Sequence, residues 1–231
     1  IQISHLKFSY PEGGFHLGID ELSVVGGSSV AVIGPSGTGK TTLLNLISGV
    51  AVPDTGTSAT NGIEISLLDD AARRDFRIQN IGFIFQEFEL LEYLSVLDNI
   101  LLPYRISGAL QLTAGVRKRA GELAGRVGIA DKLGRYVHRL SQGERQRVAI
   151  CRALLPDPAL ILADEPTGNL DPENTDRVLD IIFDYVKSNG STLVGVTHER
   201  HLLDRFDQVV DFADFRKAGA MRDILYMAWR Y

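Results

Sequence analysis

The sequence predicts an α/β fold, with a parallel sheet covered by helices and a helical segment inserted into it. Three observations support this class. Short apolar runs alternate with stretches of helical periodicity, which is typical of a parallel sheet covered on both faces. A glycine-rich loop joins the first continuous apolar run to a helix. From residue 87 to residue 152 the pattern is helical, and we find no strong strand there.

The predicted strands follow one another along the chain. The first, residues 1–10, alternates only loosely and is predicted to be an edge strand. The later runs are more continuously apolar. They are predicted to be strands, at 29–33, where a buried strand is expected, and at 81–85, 159–163, 192–196 and 209–212. Helices are predicted at 40–48, where Gly49 ends the apolar periodicity, and at 172–187.

The domain organisation follows from this pattern. Residues 1–86 and 153–212 are predicted to form the α/β core, and residues 87–152 a helical subdomain with helices near 96–104, 114–127 and 143–155. Residues 213–231 form a tail with an amphipathic pattern. One apolar helical face of the tail is formed by Met221, Ile224, Leu225, Ala228 and Trp229.

Composition excludes several classes of protein. The chain is 23% charged and 45% hydrophobic, which rules out a disordered or fibrous protein. With 24 Lys plus Arg against 29 Asp plus Glu, its net charge of −5 disfavours general nucleic-acid binding. The single cysteine, Cys151, cannot form an internal disulfide and fits a reducing compartment. No run approaches the roughly 20 apolar residues of a membrane-spanning helix.

The loop after strand 29–33 matches the pattern G-x-x-x-x-G-K-[ST] at every fixed position. Glycines let successive N–H groups point at phosphate oxygens, and the following helix adds the positive end of its dipole. Lys40 would reach the β- and γ-phosphates, and the Thr41 hydroxyl would ligate Mg²⁺. A chance match is the alternative, but the required strand and helix flank the loop. The predicted phosphate-binding residues are Gly34, Pro35, Ser36, Gly37, Thr38, Gly39, Lys40, Thr41 and Thr42.

Two adjacent carboxylates end the apolar run before residue 164. In a parallel sheet this strand end opens at the same edge as the phosphate loop. Asp164 is predicted to hold the Mg²⁺ shell. Glu165 would point elsewhere by strand alternation and polarise the attacking water. The alternative is a solvated strand end followed by a turn at Pro166.

Further motifs accompany these two, in a fixed order along the chain. They are the aromatic Tyr10, Gln86 after strand 81–85, Leu140-Ser141-Gln142-Gly143-Glu144, Asn169-Leu170-Asp171, and Val196-Thr197-His198. With this serial set, over residues 1 to about 212, the chain resembles the ATP-hydrolysing subunit of ABC transporters. The resemblance implies a P-loop NTPase fold: a RecA-like parallel sheet with an N-terminal antiparallel β part and an inserted helical subdomain. It implies ATP and Mg²⁺ as cofactors.

The resemblance also implies a role for each motif. Two copies would form a head-to-tail dimer around two ATP molecules, with Ser141, the Gly143 N–H and Asp171 facing the nucleotide of the other copy. Gln86 would sense Mg²⁺ and the nucleophilic water. His198 would contact the γ-phosphate.

Tyr10 would stack on adenine. For three of these residues a structural role is the alternative: Ser141 as an N-cap in a capping box with Glu144, His198 as a structural or exposed residue, and Tyr10 as a packing aromatic.

The run of residues 162–171 is similar to one branch of the family, which includes the ATPases of lipoprotein release, macrolide export and the cell-division complex. The implied partner is an integral membrane permease at the cytoplasmic face of the cell membrane, with the ATPase bound peripherally. A leucine-rich stripe after Gln86 would receive the permease, although part of it would belong to the subdomain core. This stripe comprises Leu90, Leu91, Tyr93, Leu94 and Leu97.

Two other functions stay open at this point. One is a soluble ABC-type ATPase acting on nucleic acid. The acidic balance argues against it, and so does the short interval from Lys40 to Ser141, which lacks a coiled coil. The other is a non-transport member of the family that regulates a membrane complex, including a nucleotide binder without hydrolysis. The presence of both Glu165 and His198 disfavours loss of hydrolysis.

Two departures from the family pattern stand out. Residues 140–144 look like the family's signature sequence, but Gln142 replaces its usual glycine, which adds bulk near the expected dimer interface. Glu144 stands where Gln is frequent. After Val210 the family shows a glycine turn and a further strand, whereas this chain continues into the aromatic tail. The tail is either a terminal helix packed on its own domain or an interfacial helix that begins a fused permease.

Overall fold

The computed structural model of the chain describes residues 1–11, 13–213 and 215. Its strands and helices confirm the predicted α/β class. The strands are β1 (Gln2–Ser9), β2 (His16–Ser23), β3 (Ser29–Ile33), β4 (Thr55–Thr60), β5 (Ile63–Glu64), β6 (Ile81–Ile84), β7 (Leu160–Asp164), β8 (Thr192–Val196) and β9 (Gln208–Asp211). The helices are α1 (Lys40–Ile47), α2 (Asp70–Asn80), α3 (Val96–Ile100), α4 (Leu102–Ile106), α5 (Ala114–Arg126), α6 (Gln142–Leu154) and α7 (Pro172–Asn189).

The chain divides into two compact units, and the first comprises residues 1–73 with the described residues from 196 onward. It contains an antiparallel sheet of strand order β2-β1-β4-β5. The prediction that residues 1–10 form an edge strand is therefore wrong, because β1 lies between β2 and β4. The alternation of apolar and polar residues in β1 shows that one face of the strand is buried. Central and edge strands of an antiparallel sheet share this feature, so the pattern does not distinguish them.

The same unit contains the parallel pair β3 and β9, in register from Val30↔Gln208 to Ile33↔Asp211. The strand β3 leads directly into the glycine-rich loop and α1. Two buried side chains of β4 satisfy carbonyls in the last turn of α1: Ser58 Oγ donates to Leu46 O at 3.3 Å, and Thr60 Oγ1 donates to Ile47 O at 3.0 Å. These two polar residues of β4 are therefore buried because their hydroxyl groups complete a helix end.

The second unit comprises residues 74–195. Its strands lie in the order β6-β7-β8, and β6 runs parallel to β7 in register from Ile81↔Leu160 to Ile84↔Ala163. The predicted helical patterns within residues 87–155 are present as α3 to α6, with the first pattern divided between α3 and α4.

A single apolar cluster holds these helices of the second unit together. Its members are Val96, Ile100, Leu101, Ala120, Leu123, Ala124, Val127, Ile129, Leu140, Val148, Cys151 and Leu155. Burial raises the pKa of the Cys151 thiol to about 12, so this cysteine packs as an uncharged apolar side chain. In the part of the chain that the structure describes, no helix combines the length and the apolar character that crossing a bilayer requires.

Candidate functional site

The loop between β3 and α1 has the backbone that phosphate binding requires. Gly34, Gly37 and Gly39 have φ angles of 148°, 74° and 108°, a region that side-chain-bearing residues avoid. Gly39 is also the N-cap of α1 and offers no side-chain hydrogen bond to the helix. The first N–H groups of α1 are therefore not occupied by a capping side chain.

Lys40 lies inside the curl of this loop. Its side chain is buried, with 7% of the residue exposed, and Nζ donates to Gly34 O at 2.8 Å and to Pro35 O at 2.9 Å. Thr38 closes the same turn, because its Oγ1 donates to Pro35 O at 2.9 Å. The loop therefore holds its ammonium group among backbone carbonyls, at the position from which the sequence predicts phosphate binding.

An aromatic group lies against this loop in the first unit. A methyl group added to Gly39 would lie 2.6 Å from Phe15 Cζ, so the loop approaches this ring closely. Tyr10 lies with its ring centroid 5.7 Å from that of Phe15 and its hydroxyl 3.3 Å from Thr42 Oγ1, and it keeps 41% of its surface exposed. Sequence reasoning found Tyr10 but missed Phe15, which carries no motif.

His198 lies in the first unit, two residues after the end of β8, and is exposed. Its neighbour Thr197 is buried and anchors the segment: Thr197 N donates to Val32 O at 3.3 Å, and Thr197 Oγ1 accepts from Glu199 N at 3.1 Å. The backbone on both sides of the histidine is thus fixed, while its imidazole faces outward.

In the second unit, β7 ends at Asp164, and Glu165 is the first residue beyond it. Glu165 has a φ of 45°, in the left-handed region, and its carbonyl accepts from Gly168 N at 3.2 Å in a tight turn. Strand alternation therefore does not set the direction of the Glu165 side chain, as the sequence argument assumed. A left-handed non-glycine residue costs about 1–3 kcal/mol, and such residues cluster at functional sites.

Gln86 lies beside the turn that follows β7. Asn169 Nδ2 donates to Gln86 O at 3.1 Å, and a methyl group added to Gly168 would lie 3.2 Å from Gln86 Nε2. The residue predicted to sense Mg²⁺ is therefore packed against the segment that carries Glu165.

The signature run begins α6. Ser141 is its N-cap and forms a capping box: Ser141 Oγ accepts from Glu144 N, while Ser141 N donates to Glu144 Oε2 at 2.8 Å. This backbone hydrogen bond and Lys132, 3.6 Å from Glu144 Oε1, hold the pKa of Glu144 below its usual value. Ser141 and Gln142 are both exposed, so the capping role leaves this helix tip accessible.

Asp171 is the N-cap of α7. Its two carboxylate oxygens accept hydrogen bonds from Asn174: from the backbone N at 3.1 Å and from Nδ2 at 2.7 Å. The Asn174 side chain holds the pKa of Asp171 below its usual value, since it donates to the charged form. Asn174 also touches α6, and sequence reasoning missed it because its position in α7 has no motif.

The site residues divide between the two units. The first unit holds Tyr10, the phosphate loop and His198; the second holds Gln86, Asp164, Glu165, the signature run and Asp171.

The leucine-rich stripe after Gln86 is partly core. Leu90 and Leu97 pack against the apolar cluster of the helical segment, whereas Tyr93 is 75% exposed. A separate, mainly apolar cavity of about 250 Å³ lies nearby in the second unit. It is lined by Ile78, Ile81, Phe83, Phe85, Glu89, Leu102, Pro103, Ile106, Arg152, Ala153 and Pro156.

Comparison with known proteins decides the family. The model of the family described as ABC transporter matches residues 18–168, more than half of the chain. The chain belongs to the ABC transporter family. The predicted family and fold are thereby confirmed, and so is the predicted function: the chain is a nucleotide-binding, ATP-hydrolysing subunit of an ABC transporter.

Individual relatives of this ABC transporter subunit agree with that assignment. An uncharacterized ABC transporter ATP-binding protein of Mycobacterium tuberculosis is 42% identical over 224 residues, which cover 96% of this chain and 90% of the relative. The lipoprotein-releasing system ATP-binding protein LolD of Cereibacter sphaeroides is 43% identical over 189 residues, covering 82% and 84%. The predicted resemblance to the lipoprotein-release branch is thus confirmed.

A solved structure is similar as well. The ATP-binding cassette MJ0796, in a dimeric post-hydrolysis state bound to ADP and phosphate, superposes with a TM-score of 0.82 at 30% identity. The match covers 91% of this chain and 93% of the other.

Proposed function

We propose that this ABC transporter subunit binds ATP with Mg²⁺, forms a head-to-tail dimer around two ATP molecules, and thereby drives an integral membrane permease. The observation that carries the proposal is the loop of residues 34–39, with three left-handed glycines, the enclosed Lys40 ammonium and an uncapped start of α1. This arrangement suits a polyphosphate, because N–H groups, the helix dipole and a cation act on the same anion.

The residues present fit both groups. The loop residues 34–40 with Thr42 would hold the phosphates, and Tyr10, half exposed beside the loop, would stack on adenine. Thr41, Gln86 and Asp164 supply the hydroxyl, amide and carboxylate oxygens that suit Mg²⁺. When bound, Mg²⁺ neutralises charge on the phosphates.

Hydrolysis is assigned to three side chains. Glu165 accepts the proton of the attacking water, and its backbone is held in the turn after β7 by the hydrogen bond from Gly168 N. His198, on an anchored backbone, orients the γ-phosphate, and Gln86 positions the water. In the dimer, Ser141, the Gly143 N–H and Asp171 of each copy face the ATP of the other copy. The positive end of the α6 dipole there favours an anion.

The partner is proposed to be a permease at the cytoplasmic face of the cell membrane, with this subunit bound peripherally. The relatives that belong to lipoprotein-releasing systems support a permease of that branch. A cytoplasmic helix of the permease would bind to the surface formed by the exposed Tyr93 and by the apolar cavity that Ile106 lines.

The predicted division into a core (1–86 and 153–212), a helical subdomain (87–152) and a tail (213–231) remains part of this proposal. Within the tail, only residues 213 and 215 are described; the predicted apolar face from Met221 to Trp229 lies outside the described residues.

The substitution Glu165→Gln tests the proposal. The variant should retain ATP binding but lose nearly all hydrolysis, since the amide cannot accept the proton. With ATP and Mg²⁺ it should therefore elute as a dimer in size-exclusion chromatography, and as a monomer with ADP. A Glu165→Gln protein that hydrolyses ATP normally would overturn the general-base assignment. One that binds ATP yet stays monomeric would overturn the dimer.

A further inference from the structure

Asn174 connects two elements that the proposed dimer presents to the second copy. It lies in the first turn of α7, three residues after Asp171, and it is half-buried. Its Nδ2 donates to Asp171 Oδ2 at 2.7 Å, and its Oδ1 accepts from Arg147 of α6 at 3.1 Å. An amide is the side chain that can donate to an acid and accept from a base at the same time.

The same amide packs on the signature glycine. Gly143 and Arg147 are four residues apart and therefore share one face of α6. A methyl group added to Gly143 would lie 2.7 Å from Asn174 Oδ1 and 2.9 Å from its Cγ. Because Oδ1 and Nδ2 are both engaged, the amide cannot turn away without losing one of its hydrogen bonds.

Both hydrogen-bond partners of the Asn174 amide are charged groups. Arg147 Nε is buried and, among the described residues, has no hydrogen-bond partner, so the bond from its terminal nitrogen to Asn174 is a large share of its pairing. Both oxygens of Asp171 accept from Asn174. Hydrogen bonds to charged groups contribute more than neutral ones, so this bridge is stiff.

We propose that Asn174 is a positioning residue for the ATP-bound dimer: its amide fixes the Asp171 carboxylate and the Gly143 backbone relative to each other, so that both meet the second copy together. The inference rests on the ATP-dependent dimer proposed above. In this proposal Asn174 acts through Asp171 and Gly143, not through the nucleotide.

The test uses the Glu165→Gln protein as parent, and the dimer dissociation constant is measured with ATP and Mg²⁺ by sedimentation equilibrium. Asn174→Ala should weaken the dimer roughly ten-fold, the effect expected from losing hydrogen bonds to charged groups. ATP affinity of the monomer, measured by fluorescence of a labelled nucleotide, should stay unchanged, because the phosphate loop is untouched.

Two further variants distinguish a loss of positioning in the dimer from a general loss of stability of helix α7. Asn189→Ala is the matched control: Asn189 lies in the same helix and its Nδ2 donates to Asp157 at 2.9 Å, away from the signature run, so the dimer should be as stable as the parent. Asn174→Asp has the shape of the native residue and retains the acceptor for Arg147, but it loses the donor to Asp171 and adds a like charge. It should fold normally and weaken the dimer at neutral pH.

A double-mutant cycle tests the contact with α6. Gly143→Ala should weaken the dimer strongly when Asn174 is present and much less in the Asn174→Ala background, because the atom that the new methyl group meets is gone. Additive effects, or an Asn174→Ala dimer as tight as the parent, would overturn the positioning role while leaving the proposed function intact. A parent that does not dimerise at all would overturn both.

Discussion

The side chain of Gln142 shows that a residue can stand in a family motif and contribute little to its local fold. It is the first residue of α6, it is exposed, and the capping box forms between its neighbours Ser141 and Glu144 without it. The smaller glycine usual at this position is therefore not required for the helix start. Any effect of Gln142 should appear in the dimer, where the helix tip of one copy faces the other.

Removing the Gln142 side chain should tighten the ATP-bound dimer. Immobilising a long, polar side chain at an interface costs about 0.5–1.5 kcal/mol, so Gln142→Gly in the Glu165→Gln protein should lower the dimer dissociation constant by roughly two- to ten-fold. Gln142→Ala separates lost bulk from added backbone freedom and should give a similar gain. Sedimentation with ATP measures both; a weaker dimer in either variant would show that Gln142 makes favourable contacts across the interface.

At the residue scale, the motif residues were predictable and their supports were not. Lys40 and Asp164 follow from the loop motif and from the end of an apolar strand, and Gln86 and Asp171 follow from the resemblance to the family. Asn174 and Phe15 act through packing against glycines that lie far away in the sequence. A single sequence contains no local signal for such a contact.

Helix α6 contacts three segments of the second unit that carry or adjoin candidate site residues. Its first turns meet Asn174; Gln146 Nε2, in its middle, donates to Pro166 O at 2.6 Å; and Arg152, near its end, donates to Phe88 O at 2.7 Å and to Glu89 O. One helix thus touches the turn after β7, the start of α7 and the segment after Gln86. Movement of α6 would reach all three.

Arg152 stabilises the backbone of the turn that follows Gln86. Phe88 and Glu89 have φ angles of 60° and 48°, two successive left-handed residues, and the Arg152 guanidinium donates to both of their carbonyls. Burial lowers the pKa of Arg152, with the Glu89 carboxylate opposing that effect. The strained turn beside the apolar cavity is therefore held by one side chain.

Replacing Arg152 by methionine preserves volume but removes these donors. Arg152→Met should lower the free energy of unfolding by about 1–3 kcal/mol, because the carbonyls of Phe88 and Glu89 lose their hydrogen bonds to a charged donor. Urea denaturation measures this loss. Arg177→Met is the control: Arg177 pairs with Glu173 on the exposed face of α7 and should change stability by no more than about 0.5 kcal/mol. Equal stability of the two variants would contradict the stabilising role assigned to Arg152.

The elements that the sequence predicted best are those with a continuous apolar pattern. The strands at 29–33 and 192–196 and the helix starts at residues 40 and 172 agree with the structure. By contrast, β4 (Thr55–Thr60) contains no large apolar residue and went unpredicted, because Ser58 and Thr60 are buried for the hydrogen bonds that they donate to α1. Its strand state is decided by tertiary pairing rather than by its own residues.

At the scale of the whole molecule, charge and stability bear on function in different ways. A net charge of −5 disfavours general binding to nucleic acid but does not identify a partner. Ligand-linked stability is more informative, since a nucleotide that binds the native state must raise the temperature of unfolding.

Nucleotide should therefore stabilise the whole chain in a way that depends on Lys40. At a hundred times its dissociation constant, Mg-ADP adds about 2.7 kcal/mol, which raises the Tm of a chain of this length by roughly 5 to 10 °C in scanning calorimetry. Lys40→Met should lose most of this shift, whereas Lys187→Met, on the exposed end of α7, should retain it. In the Glu165→Gln protein, ATP should give a further rise that grows with protein concentration, because dimerisation adds a second linked equilibrium. A rise independent of protein concentration would mean that ATP binds without bringing two copies together, and an unchanged shift in Lys40→Met would remove the phosphate loop from the site.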